Sequence, residues 1–91
     1  MTTLIAAGTA AATSALFTMS GQGKIIAKLA QGETVTLLEE YPDTNYYPVI
    51  NEKGLAVMLS HEQSSQIFTG YGNYKVIKSA TVAAVAVGLE S

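Results

Sequence analysis

Lys24-Ile25-Ile26-Ala27-Lys28-Leu29, then Ala30-Gln31-Gly32-Glu33, then Thr34-Val35-Thr36-Leu37-Leu38-Glu39, is the stretch from which the fold is read. Ile25, Ala27 and Leu29 alternate with Lys24, Ile26 and Lys28, and Val35 and Leu37 alternate with Thr34, Thr36 and Leu38. Successive side chains of a strand point to opposite faces, so an apolar residue at every second position is what a half-buried strand requires. Gln31-Gly32-Glu33 between the two runs reads as the turn of a hairpin.

The same cadence extends both ways. In Ser14–Ser20, Ala15, Phe17 and Met19 fall on one face and Ser14, Leu16, Thr18 and Ser20 on the other, with Gly21-Gln22-Gly23 as the following turn. Glu39–Asn45 holds acids and Pro42 and reads as a loop. Tyr46–Ile50 is β-rich but contains Pro48, which cannot donate to a ladder, so it is placed at a sheet edge. Asn51-Glu52-Lys53-Gly54 closes a second hairpin into Leu55–Leu59, with Leu55, Val57 and Leu59 inward. After the polar segment Ser60–Ser65, Gln66–Thr69 forms a short strand that ends at Gly70-Tyr71-Gly72. Tyr74–Lys78 is the next strand, with Tyr74 and Val76 on one face and Lys75 and Ile77 on the other. Thr81–Leu89 is nearly all Val and Ala and reads as a strand buried on both sides; a helix is disfavoured there by its β-branched residues and by Gly88.

Turns spaced in this way over a 91-residue chain predict an all-β fold. It is a small single domain, a β-sandwich or jelly-roll-like barrel of about seven to eight short antiparallel strands. Residues 14–91 make the domain, and residues 1–13 are an N-terminal arm or a first strand over Thr2–Ala7, of which the strand is preferred.

Composition narrows the function. There is no Cys, no Trp and no Arg, and a single His, so disulfides are excluded and neither a metal centre nor a cofactor is expected. Charged residues are 13% of the chain and apolar ones 48%; about 25% charged is usual in a soluble domain. A domain of this size buries only roughly 60–65% of the surface its unfolded chain exposes, which leaves oligomerisation as the available supplement to stability. The net charge of −2, and the absence of the guanidinium that grips phosphate in bidentate fashion, argue against nucleic acid as a partner. No basic segment precedes the apolar N-terminal residues, so no secretory leader is expected. No apolar run reaches the roughly 18 residues of a membrane span.

The residues that carry chemistry elsewhere are isolated here. His61 sits in a polar loop with Ser60, Ser64 and Ser65 nearby in sequence, and a general base needs an aimed nucleophile and an orienting group that adjacency does not supply. Glu39, Glu40 and Asp43 lack the alternation and mid-loop glycine of a calcium loop. The chain is therefore expected not to be an enzyme. Tyr46, Tyr47 and Tyr71 could offer contact area to a glycan or a protein. Leu16, Ile26, Leu38, Met58 and Ile77 all fall opposite the inferred core, which makes them, with Tyr46 and Tyr71, the candidates for an interaction surface.

The phrases Phe17-Thr18-Met19-Ser20-Gly21, Leu29-Ala30-Gln31-Gly32-Glu33-Thr34-Val35-Thr36-Leu37, Gly72-Asn73-Tyr74-Lys75-Val76-Ile77-Lys78 and Val85-Ala86-Val87-Gly88 resemble small β-sandwich virion proteins of tailed bacteriophages, in particular head decoration or cement proteins. The resemblance covers roughly residues 13–89 and rests on short strand and turn phrases. It implies a structural protein made in the host cytoplasm and carried on the capsid surface, where homotrimers bridge neighbouring major capsid proteins without catalytic residues or cofactors. A fibre-tip or glycan-binding β module and a head-to-tail or tail component are the alternatives.

Overall fold

The computed structural model describes residues 1–51 and 53–90. They form eight strands: β1 (Thr2–Gly8), β2 (Ala12–Thr13), β3 (Phe17–Ile26), β4 (Val35–Glu40), β5 (Tyr46–Pro48), β6 (Met58–Leu59), β7 (Ser65–Lys78) and β8 (Val85–Glu90). All belong to one antiparallel sheet in the order β1-β8-β3-β7-β4-β5, with β2 added against β7 and β6 against β4. The all-β fold that the alternation predicts is the fold observed.

The molecule measures 35 × 26 × 24 Å, whereas even two sheets packed face to face stand only about 10 Å apart. The single sheet is therefore strongly curled. Its concave face holds one core, in which Ile5 from β1 at one edge belongs with Val35, Leu37 and Leu59 from the opposite half of the sheet. Ile25, Ala27, Leu29, Val35, Leu37, Val57 and Leu59 are buried as their alternation requires. Each such Ile, Leu or Val side chain contributes about 1.5–3 kcal/mol by leaving water.

β7 is the spine. Its first part pairs with β3 from Ser65 to Tyr74, and its last part pairs with β4 from Tyr74 to Lys78. β2 lies against its end at Ile77 and Lys78. Ser14 fills the gap between β2 and β3: its amide donates to the Val76 carbonyl at 2.9 Å, and its hydroxyl accepts from the Val76 amide at 3.0 Å. This explains why Ser14 is buried although its place in the alternation puts it outward, whereas Ala15, expected inward, is exposed.

Several boundaries differ from the sequence reading, each for a physical reason. Gly21-Gln22-Gly23 and Gly70-Tyr71-Gly72 are not turns, because β3 and β7 run straight through them. The two segments face each other, Gly21 opposite Gly70 and Met19 opposite Gly72, and glycine inside a strand marks a bend or a close approach. Gly21 (φ 150°) and Gly72 (φ 116°) adopt backbone conformations closed to other residues, which lets the long β3–β7 ribbon coil. Gly70 serves close approach: a Cβ there would lie 2.5 Å from the Tyr74 hydroxyl and 2.9 Å from its ring edge. The Tyr74 ring thus rests on bare backbone, with Phe68 and Phe17 at centroid distances of 5.8 and 6.2 Å.

The turn at Gln31-Gly32-Glu33 exists, closed by the Glu33 amide on the Ala30 carbonyl at 3.1 Å, but it joins no hairpin. β3 and β4 lie on opposite sides of β7. The Asn51–Gly54 turn does close on itself, with Asn51 bonded to Leu55 and Ile50 bridged to Ala56; Glu52 of that turn lies outside the described residues. Leu55, expected inward, is exposed. In the Thr81–Leu89 run the strand begins only at Val85; Val85, Val87 and Leu89 are covered on one face, while on the other Ala86 is exposed and only Gly88 is covered, beneath Met1. Thr2–Gly8 forms β1, paired with β8.

The seat of Tyr74 makes a testable point. Gly→Ala at a compatible position stabilises a protein by about 0.4–1 kcal/mol, but Gly70→Ala must displace the ring and is expected to cost about 1–3 kcal/mol in thermal or denaturant unfolding. A neutral or stabilising Gly70→Ala would show that the ring is not seated on this backbone.

Candidate interaction surface

Residues directly opposite one another in neighbouring antiparallel strands share a face, as do residues two apart in one strand. Met58, Thr36, Ile77 and Thr13 are successive partners across β6, β4, β7 and β2, so they form one row on the convex outer face. Two residues along, Pro48, Leu38 and Lys75 form the next row across β5, β4 and β7. The third contains Tyr46 paired with Glu40, and Asn73 paired with Thr18.

The candidates from the sequence thus separate into two sets. Leu38, Met58 and Ile77 converge on one half of the outer face, with Tyr46 at its rim. Leu16, 54% exposed, lies between β2 and β3, beside the Tyr74–Val76 part of β7. Ile77 is 44% exposed, and Leu38 and Met58 are half-buried. A shallow hollow lined by Thr13, Thr36, Ile77 and Ser79 opens beside this strip. Ile26 and Tyr71 lie outside the strip: Ile26 is half-buried opposite Ser65, at the far end of β7 from Ile77, and Tyr71, 75% exposed, follows Asn73 on the same outer face, opposite Ser20.

The rim of the strip is polar and ordered. Lys75 Nζ sits 4.3 Å from the centroid of the Tyr46 ring. The Tyr46 hydroxyl is 3.4 Å from Glu40 Oε2, Asn73 Nδ2 donates to Glu40 Oε1 at 3.3 Å, and Thr18 donates to Asn73 Oδ1 at 2.8 Å. Burial, and then the Glu40 carboxylate, push the Tyr46 hydroxyl above its ordinary pKa. Beyond it, Tyr41 and Tyr47 meet edge to face at 4.8 Å, and the Tyr47 hydroxyl donates to Asp43 at 2.9 Å. An apolar centre with a hydrogen-bonded polar border is the anatomy of a protein-binding surface.

Other chemistry-bearing groups are engaged locally. His61 is exposed, with Nδ1 3.1 Å from the Leu29 carbonyl oxygen. Among the described residues, no three of His, Cys, Asp and Glu are grouped to hold a metal ion.

A buried polar knot escaped the sequence reading. Lys78 is only 1% exposed, and its Nζ donates to the Gly8 carbonyl at 2.9 Å. The Thr81 hydroxyl is 3.2 Å from the same carbonyl. Nearby, Glu33 accepts from the Ala30 amide through Oε1 and from the Val82 amide through Oε2, both at 2.8 Å. This knot ties the end of β1 and the β7–β8 loop to the turn before β4. The signal for it was present, since Lys78 shares the parity of Tyr74 and Val76. Val82, within the run whose composition predicts a buried strand, lies instead in this loop and is 91% exposed.

The knot sets an acid dependence. Glu33 is held below its ordinary value of 4.5, first by the Ala30 amide, then by the Val82 amide, and lastly by the charge of Lys78, against the opposing effect of burial. A carboxyl depressed in the folded state stabilises fully above its unfolded value and loses that contribution as pH falls through the lower folded value. The melting temperature is therefore expected to drop on acidification from about pH 4.5, and Glu33→Gln to flatten that drop while lowering the melting temperature at neutral pH. Asp43, depressed chiefly by the Asn45 amide, retains part of the slope. Identical slopes in the parent and Glu33→Gln melts would contradict this assignment.

No protein-family model matches this chain, and neither a curated protein nor a solved structure does.

Proposed function

We propose that this chain is a structural protein of a bacteriophage particle, a decoration or cement protein that binds the outside of the head and stabilises it as a homo-oligomer in contact with the major capsid protein. The observation that carries the reading is the strip Leu38, Met58 and Ile77 on the outer face with its ordered border of Tyr46, Lys75, Glu40 and Asn73. It is an apolar surface on the side of the sheet that faces away from the core, and a docked protein would remove it from water. The role is binding rather than catalysis, and no cofactor takes part in it.

A glycan-binding module has less support. Saccharides stack on exposed ring faces, whereas Tyr46 is covered by Lys75, Tyr47 is held edge to face by Tyr41, and Tyr71 stands apart from both. These rings share no platform.

Heads of the encoding phage, prepared without this protein, provide the test. The purified chain is expected to co-sediment with them and to raise the temperature at which they release DNA. A central apolar contact in an interface is worth about 2 kcal/mol, or about 30-fold in affinity, so Ile77→Lys is expected to weaken binding by about that factor, while Gln63→Lys in the β6–β7 loop leaves it unchanged. Absence of co-sedimentation, or equal binding by Ile77→Lys, would overturn the reading.

A further inference from the structure

The two edges of the sheet are unlike. β5, at one edge, is three residues long and ends in Pro48, and the loop before it carries Asp43. A short strand bearing proline beside charge is protected against further pairing. β1, at the other edge, is seven residues long, Thr2-Thr3-Leu4-Ile5-Ala6-Ala7-Gly8, with neither charge nor proline. Among the described residues no strand lies beyond it in the sheet order. Consecutive residues, Thr2 with Thr3 and Ala6 with Ala7, are exposed, as expected of a strand whose edge, as well as its outer face, meets solvent.

Charged side chains are few around β1: the buried Lys78 ammonium reaches the Gly8 carbonyl at its end, and Lys24 and Glu90 pair with each other across β3 and β8. Residues 1–23 and 79–89 contain no Asp, Glu, Lys, Arg or His. These residues build β1, β8 up to Leu89, and β3 as far as Gly23, which are neighbours in the sheet. Every charged side chain of the protein lies between Lys24 and Lys78 or at Glu90.

We infer that β1 is a self-pairing edge, through which two copies of this chain join β1 to β1 in antiparallel fashion about a two-fold axis. Charge selects the occupant. A two-fold contact is self-complementary, residue i meeting residue j and j meeting i, and an edge strand with no charged side chain of its own sets no like charges against each other when it meets its copy. The backbone groups along the edge supply the hydrogen bonds, as in strand addition generally. The register against β8 shifts between Thr3 and Ile5 and again between Ile5 and Gly8, which bends the strand and limits the regular ladder. The contact therefore belongs to the small class burying less than about 1,200 Å², and pairing is concentration-dependent. This edge is separate from the outer-face strip, so the inference does not depend on the partner of that strip being a phage head.

The chain lacks cysteine, which makes single-cysteine variants clean probes. Ala6→Cys on β1 and Ser64→Cys in the β6–β7 loop are both exposed sites. With a short bifunctional maleimide, Ala6→Cys is expected to give covalent dimers at least ten-fold faster than Ser64→Cys. In light scattering over a concentration series the parent is expected to move toward twice the monomer mass. The double variant Thr3→Lys, Ala7→Lys, altered only at exposed positions and checked for an unchanged melting temperature, is expected to remain monomeric. Equal cross-linking rates, or association of the double variant like that of the parent, would overturn the inference. The two readings fail separately: a double variant that stays monomeric but still binds heads supports both, and a chain that pairs through β1 but ignores heads overturns only the virion assignment.

Discussion

The structure depends on β7 having both of its edges occupied. Tyr74 marks the handover: it is the partner of Phe17 in β3 on one side and of Glu39 in β4 on the other. Its ring lies on Gly70 and between Phe68 and Phe17, and its hydroxyl accepts from the Tyr71 amide at 3.2 Å. With the spine in place, β8 can lie on β3, β1 on β8, and β5 and β6 on β4. Apart from β5 on β4, which follow each other along the chain, these pairings are distant in sequence, so loop closure must precede their reward, and a slow-folding chain is the expected consequence.

A curled sheet with one concave face has one interior, and this one is small. Aliphatic side chains from every long strand fill it, and the alternation of each strand then sends the intervening residues outward. Where those are Lys24 and Glu90, they pair at 3.2 Å across β3 and β8. Where they are Leu38, Met58 and Ile77, they remain as apolar surface. Most charged side chains lie around β4, β5 and β7, whereas β1 carries none and β8 only Glu90. The two proposed contacts, one face for a larger partner and one edge for another copy, rest on that distribution.

Much of this was legible in the sequence, and the rest was not for identifiable reasons. The core positions Ile25, Ala27, Leu29, Val35 and Leu37 follow from alternation alone. So does the edge position of β5, through Pro48. The glycines were misread because glycine serves both turns and close approach, and only the ring of Tyr74, seated on Gly70, decides between them. The order of strands was not legible, because ladder hydrogen bonds are made by backbone common to every residue; hence β3 and β4 looked like a hairpin although β7 lies between them. Lys78 shows a third limit: its parity places it inward, but the acceptor that allows its burial, the Gly8 carbonyl, lies in the first strand. Leu38, Met58 and Ile77 were each legible as outward, but their meeting in adjoining rows became visible only with the register.

The central claim is that this domain leaves more apolar and unpaired surface than it can cover and therefore associates. Small-angle X-ray scattering over a concentration series tests it most directly. The account predicts a mass rising above that of one chain, and a radius of gyration rising above that of an isolated protomer, 12.2 Å for its Cα atoms. A mass and radius that stay at the single-chain values up to the highest soluble concentration would contradict it.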